Sequence, residues 1–247
     1  MLPKVQVLAC PITVATPTQL IDEVFRLAEM RKGSYVTFTN VHMLMEAQNN
    51  PQFARVVAEA DMASPDGAPV ALFMNKYYGL NQERMPGMAI LPLLLEEAEH
   101  RGKSVFFYGG KQEVLDVITA KIKAQLPQLQ VAGMHSPPFR PLTEAEKEAE
   151  GEMFALADAD LIFVALGCPR QENWMAAHAG TVKGCMLGVG QAFLTFAGLE
   201  KRLPPTLRKL PVEWIYRLIL EPRRLFKRYF FTNTQFMWLA AKAFAKK

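Results

Sequence analysis

The sequence predicts an α/β protein: a mostly parallel sheet covered by helices on both faces, followed by a basic helical appendage. Three observations carry that expectation. Short β-branched and aromatic runs alternate with longer stretches whose apolar residues recur every three or four positions. No run of eighteen apolar residues occurs, so no segment reads as a membrane-spanning helix. Charge is split along the chain: residues 197–247 hold twelve Lys or Arg against three acids, a net +9, whereas residues 1–196 carry −5. The domain boundary is therefore placed between a core at 1–196 and an appendage at 197–247.

In chain order, Val5 to Val14 reads as a strand pair turning at Cys10-Pro11, and Pro17 to Arg31 as a helix capped by Thr16 or Thr18. Tyr35 to Thr39 is a strand, Val41 to Glu59 a helix, and a short apolar stretch before Ser64 a further strand. Helices follow at Leu91 to His100, Gln112 to Gln125, Glu144 to Ala157 and Gln171 to Ala179, with strands at Ser104 to Tyr108, Leu161 to Leu166 and Cys185 to Val189. After Gly198, prolines 204, 205 and 211 interrupt a basic stretch. Helical spacing then resumes over Val212 to Phe231, with Pro222 as a kink or restart, and aromatic residues continue to Ala245.

Composition excludes several classes. The 247 residues are 50% hydrophobic and 21% charged with 15 Gly and 17 Pro, which suits a globular chain and not a disordered or collagen-like one. Cys10, Cys168 and Cys185 are odd in number and lack metal-ligand spacing, so neither a disulfide framework nor a zinc site is expected, and a reducing cytosol is the default. Met1 to Thr13 does not read as a signal peptide.

In parallel α/β sheets, ligands bind beyond the carboxyl ends of the strands. Five loops are expected at that edge: Thr39-Asn40, Ser64-Pro65-Asp66-Gly67, Gly109-Gly110, Gly167 to Gln171 and Gly188 to Gln191. Asp66 in a Pro-Asp-Gly turn is either a plain turn former or, with Asn40 close by, a general base. Gly109-Gly110 suits backbone approach to a diphosphate, but no dinucleotide or P-loop fingerprint is present. Asp158-Ala159-Asp160 has the spacing of a divalent-cation motif, yet it falls at the amino end of its strand and reads as a turn with solvated acids. The four histidines are scattered and make no hydrolase triad. In the tail, Arg217, Arg224 and Arg228 recur beside Trp214, Leu218, Leu225, Tyr229 and Phe230. Cations flanking an apolar face suit an anionic membrane, or arginines folding over a diphosphate; nucleic-acid binding is the lesser alternative.

The chain resembles the WecG/TagA/CpsF family of bacterial glycosyltransferases, glycosyltransferase family 26, over nearly its whole length. The resemblance is carried by Thr39-Asn40-Val41-His42, Ser64-Pro65-Asp66-Gly67, Glu83-Arg84-Met85-Pro86-Gly87, Phe107-Tyr108-Gly109-Gly110, Ser136-Pro137-Pro138-Phe139-Arg140, Gly167-Cys168-Pro169-Arg170-Gln171-Glu172, Gly188-Val189-Gly190, Glu213-Trp214-Ile215-Tyr216-Arg217 and Glu221-Pro222-Arg223-Arg224. It implies a Rossmann-like core whose C-terminal appendage completes the active site and touches the membrane. It also implies an inverting, metal-independent transfer, without cofactor, from a UDP-sugar to a polyprenyl-diphosphate-linked saccharide at the cytoplasmic membrane face.

Carried over by motif, Asp66 is the base, Thr39, Asn40 and Arg84 line the sugar pocket, and Gln171 contacts substrate. Gly109, Gly110, Gly188 and Gly190 shape the substrate loops, and Arg217 and Arg224 neutralise the leaving diphosphate, with Arg228, or Lys227, as a third cation. The expected partners are thus the UDP-sugar, the lipid-linked acceptor and an anionic membrane, with no nucleic acid; a homo-oligomer stays open. The chain departs from the family pattern at Phe38, where a threonine is usual, at Ala89, and at Leu194, where a carboxylate is usual. Those departures keep a second reading open, a membrane-peripheral UDP-sugar-binding or scaffold protein with impaired catalysis.

Overall fold

The computed structural model describes residues 2–200, 216, 218 and 222–246. Strands β1 (Lys4–Val7) and β2 (Cys10–Thr13) form an antiparallel hairpin. The main sheet holds six strands, β3 (Tyr35–Thr39), β4 (Met62–Pro65), β5 (Ser104–Gly109), β6 (Gln130–His135), β7 (Leu161–Ala165) and β8 (Cys185–Gly188), in the order β4-β3-β8-β7-β5-β6. All five pairings in it are parallel. The helices are α1 (Pro17–Glu29), α2 (Val41–Asn49), α3 (Pro51–Glu59), α4 (Ala68–Tyr78), α5 (Gly87–His100), α6 (Gln112–Gln125), α7 (Glu144–Ala157), α8 (Arg170–His178), α9 (Ala192–Phe196) and α10 (Pro222–Phe244).

Strand alternation explains the layers, because successive side chains point to opposite faces of a sheet. Val105 and Phe107, Leu161 and Phe163, and Cys185 and Leu187 pack with α1, α5, α6 and α9. The intervening Phe106 and Tyr108, Ile162 and Val164, and Met186 pack with α7 and α8. Both faces are apolar, as a parallel sheet buried on both sides requires. A third cluster joins the hairpin to α2, α3 and α4, and Phe236 of α10 inserts into it. Phe236 is edge-on to Phe73, and Asn49 and Gln235 exchange side-chain amide bonds at 2.8 and 3.4 Å, so α10 is fastened to α2 and α4.

The boundaries differ from expectation in three places. Val41 to Glu59 is two helices, because Pro51 cannot continue the first and Asn50 caps the second, accepting from the backbone N–H of Gln52 and Phe53 at 3.0 and 3.2 Å. The hairpin turns at Leu8-Ala9, where Leu8 takes a φ of 53°, and Cys10-Pro11 begins β2 opposite Gln6 and Val7. Helix α5 starts at Gly87 and not Leu91, running through Pro92 with the loss of one helical hydrogen bond.

Candidate active site

Parallel pairing places the loops after β3, β4, β5, β7 and β8 on one edge, as the sequence predicts. Asn40 follows β3 and does two things. Its Oδ1 accepts from the Met43 backbone N–H at 3.2 Å, capping α2, while its Nδ2 donates to Asp66 Oδ2 at 3.4 Å. The backbone N–H of Asp66 donates to Thr39 O at 3.0 Å, holding the two strand ends together. A half-buried carboxylate is thereby presented at the edge with an amide donor beside it.

Arg84 lies on a segment fastened to this corner. Met85 N–H donates to Pro65 O at 2.7 Å and Ser64 Oγ donates to Met85 O at 3.1 Å, pinning the residue after Arg84 to the end of β4. On its other side Gln82, 5% exposed, accepts from Ala15 N–H and donates to Ala15 O and Glu83 O. Gln82 had no distinguishing signal in the sequence; only the fold brings Ala15 to it.

The glycines prove more structural than their positions suggest. Gly109 has a φ of 104°, and a Cβ there would lie 2.5 Å from Ala165 O, so this turn requires glycine for close approach to β7. The Gly110 N–H is engaged by Ala165 O at 3.1 Å and the Gly190 N–H by Val164 O at 3.1 Å, so neither amide is open to a phosphate in this arrangement. A Cβ on Gly188 would meet Met175 Cε at 2.7 Å and Gln171 Nε2 at 3.1 Å, and one on Gly190 would meet Gln171 Oε1 at 3.2 Å. Gly188 and Gly190 thus make room for the Gln171 side chain.

Gln171 itself is 5% exposed. Its Oε1 accepts from Gly167 N–H at 3.1 Å, and its Nε2 donates to Gly188 O at 2.9 Å and Glu172 Oε1 at 2.7 Å. Both amide hydrogens are used within the chain, and one Oε1 lone pair remains for a ligand. Thr39 is likewise enclosed, fully buried with its hydroxyl 3.2 Å from that of Thr37. Beneath Gly109, Tyr108 donates to both Glu150 oxygens at 2.8 and 2.9 Å and stacks on Trp174, and burial beside that carboxylate pushes its phenol up.

Asp158 and Asp160 lie at the opposite edge, before β7, but they are not simply solvated. Asp158 is the left-handed C-cap of α7 and pairs with Arg31, and Asp160 accepts from Ser104 N–H and Oγ at 2.9 and 3.0 Å. Among the described residues, no three His, Cys, Asp or Glu side chains gather as a metal site. Arg217 falls outside the described residues; Arg224 and Arg228 lie in the first two turns of α10, and their side chains are outside those described.

A fully parallel sheet with an acid, an amide and glycine turns at its carboxyl edge defines the class: an α/β protein whose polar groups gather where such sheets bind ligands. Comparison supplies the particular family. The model of the glycosyl transferase WecG/TagA/CpsF family matches residues 5–247, and the chain belongs to that family of glycosyltransferases. Among its relatives is a Bacillus spizizenii protein named N-acetylglucosaminyldiphosphoundecaprenol N-acetyl-beta-D-mannosaminyltransferase, 29% identical over 197 residues, 79% of this chain and 75% of the relative. A Bacillus subtilis protein of the same name matches to the same extent. One from Staphylococcus aureus, also of that name, is 26% identical over 225 residues, 90% of this chain and 87% of the relative.

Proposed function

We propose that this glycosyltransferase moves a hexose, of the N-acetylmannosamine or glucose type, from a UDP-sugar to a polyprenyl-diphosphate-linked saccharide, with inversion and without a metal. The observation that carries the reading is the Asn40–Asp66 pair at the carboxyl edge, in a chain whose relatives are named for transfer of N-acetylmannosamine to a lipid-diphosphate-linked sugar. Displacement at an anomeric carbon needs a base on the acceptor hydroxyl and stabilisation of the departing diphosphate. Asp66 supplies the base, and Asn40 orients its carboxylate by donating to Oδ2. Arg84, on its pinned segment, faces the sugar. Arg217, Arg224 and Arg228 meet the diphosphate, a role for guanidinium forks.

The acceptor is an amphiphile, so the protein works at the cytoplasmic membrane face as a peripheral protein. Among the described residues no helix is long and apolar enough to cross a membrane. Helix α10 instead leaves Phe226, Phe230, Phe231, Met237 and Trp238 each about 60–70% exposed, while Phe236, Leu239, Ala240 and Ala243 turn to the core. A helix docked on one side and aromatic on the other suits a headgroup boundary.

Incubating the protein with a panel of UDP-sugars and one prenyl-diphosphate-linked N-acetylglucosamine, with mass spectrometry of the lipid product, tests this. The expected product gains one N-acetylhexosamine or hexose, unchanged by a chelator. Loss of product on chelation would remove metal independence, and UDP-sugar binding without turnover on any acceptor would favour the scaffold reading, for which Ala89 and Leu194, the latter packed against the apolar core, are the motivating departures.

A further inference from the structure

Glu172 is fully buried in the first turn of α8 and has no assigned role. Its Oε1 accepts from Gln171 Nε2 at 2.7 Å. Beyond the weak Cys168 thiol and its own N–H, that amide is the carboxyl group's only hydrogen-bond partner among the described residues. The same Gln171 amide bridges Gly167 N–H, in the loop after β7, to Gly188 O at the end of β8. One side chain thus spans the loop after β7 and the end of β8.

We propose that Glu172 is a positioning residue for sugar transfer, holding the Gln171 amide in the orientation that ties the β7–α8 and β8–α9 loops together at the substrate edge. Geometry gives the reason. An amide can be flipped end for end with little change in shape, exchanging donor for acceptor. Gly188 O demands Nε2 at one end and Gly167 N–H demands Oε1 at the other, which selects one of the two flips, and Glu172 Oε1 takes the second Nε2 hydrogen and holds the amide in that flip. The remaining Oε1 lone pair, on the side where Gly190 lacks a Cβ, is then fixed as an acceptor.

The hold depends on charge. Burial pushes the Glu172 carboxyl up to about 7, opposed by the hydrogen bonds from Gln171, its own N–H and Cys168. The elements packed against α8 bring Arg55 and Glu59 on α3, Tyr35 on β3 and Cys185 on β8, and α8 itself carries Arg170 and His178; none of these is among the interactions that shift Glu172. As a carboxylate, Glu172 is a charge-assisted acceptor and fixes the amide strongly; protonated, it accepts more weakly and the loops loosen. Across a midpoint near 7 the ionised fraction rises about tenfold between about pH 6 and about pH 8.

The proposal rests on the transferase reading for its catalytic half only, and the test separates the two. Isotope-labelled full-length protein is titrated through neutral pH while the Gln171 side-chain amide resonance is followed, and kcat/KM for transfer to the prenyl-diphosphate acceptor is measured in wild type and Glu172→Gln over the same range. The amide resonance is expected to shift with a midpoint near neutrality in wild type and to stay flat in Glu172→Gln. Wild-type kcat/KM is expected to rise up to about tenfold more than the variant's over that range. A wild-type amide that ignores pH overturns the proposal, as does a variant that loses the same factor of activity at every pH. If wild type transfers no sugar, the transferase reading fails, and the amide titration alone still decides whether Glu172 sets Gln171.

Discussion

At the scale of single residues, the edge is built from side chains with two partners. Asn40 caps α2 and donates to Asp66, so Asn40→Ala removes both at once. The cap alone is worth about 1 kcal/mol, and loss of the donor removes the amide that orients Asp66 Oδ2. The variant is expected to unfold at a slightly lower denaturant concentration and to lose far more transfer activity than that destabilisation explains. Glu172 gives a second prediction, on stability. Its folded pKa, about 7, lies above the ordinary carboxylate value of 4.5, so between those values the folded chain keeps a proton that the unfolded chain has lost. Stability therefore falls as pH rises across that window and levels off above it, by an amount on the order of 3 kcal/mol. Glu172→Gln should flatten this slope in denaturant melts taken at several pH values; an unchanged slope would show that other groups set it.

At the scale of elements, much was legible because pattern and packing agree. Helices α6 and α7 fall on their predicted spans, and the capping box of α1 at Thr16 is one of the two predicted caps. What escaped was set by tertiary context. Strand β6, half exposed at the sheet edge, has only the short small-residue run Val131 to Met134, and α4 and α9 begin directly after loops read for their ligand contacts. The same holds for the site. Asn40, Asp66 and the five-loop edge follow from strand ends in the sequence, whereas the burial of Gln171, Glu172 and Gln82 depends on which strands neighbour which. Helical spacing was expected over Val212 to Phe231 with a restart at Pro222; the helix runs Pro222–Phe244, most of the stretch before it lies outside the described residues, and its seat on α2 and α4 through Phe236 was not foreseen. Phe236→Ala should cost about 3 kcal/mol, and proteolysis in α10 should accelerate while the parallel sheet stays protected from hydrogen exchange.

For the whole molecule, the division of charge and the two-sided α10 give one prediction. The core face of α10 is occupied, and its outer face carries Phe226, Phe230 and Trp238, with Lys242 over the Trp238 ring at 5.1 Å. The double variant Phe230→Ser and Trp238→Ser should leave thermal stability nearly unchanged and release the protein from vesicles rich in anionic lipid, as read by flotation. Retained flotation would place the membrane contact elsewhere.

The account as a whole stands on Asp66 acting as a base at the carboxyl edge. The most direct measurement is single-turnover transfer from the UDP-sugar to the prenyl-diphosphate-linked acceptor by wild type and by Asp66→Asn, with UDP-sugar affinity measured in parallel. A general base contributes about 100-fold to 10,000-fold, so the variant should transfer slower by that order while binding donor as before. Equal transfer rates in the two proteins would contradict it.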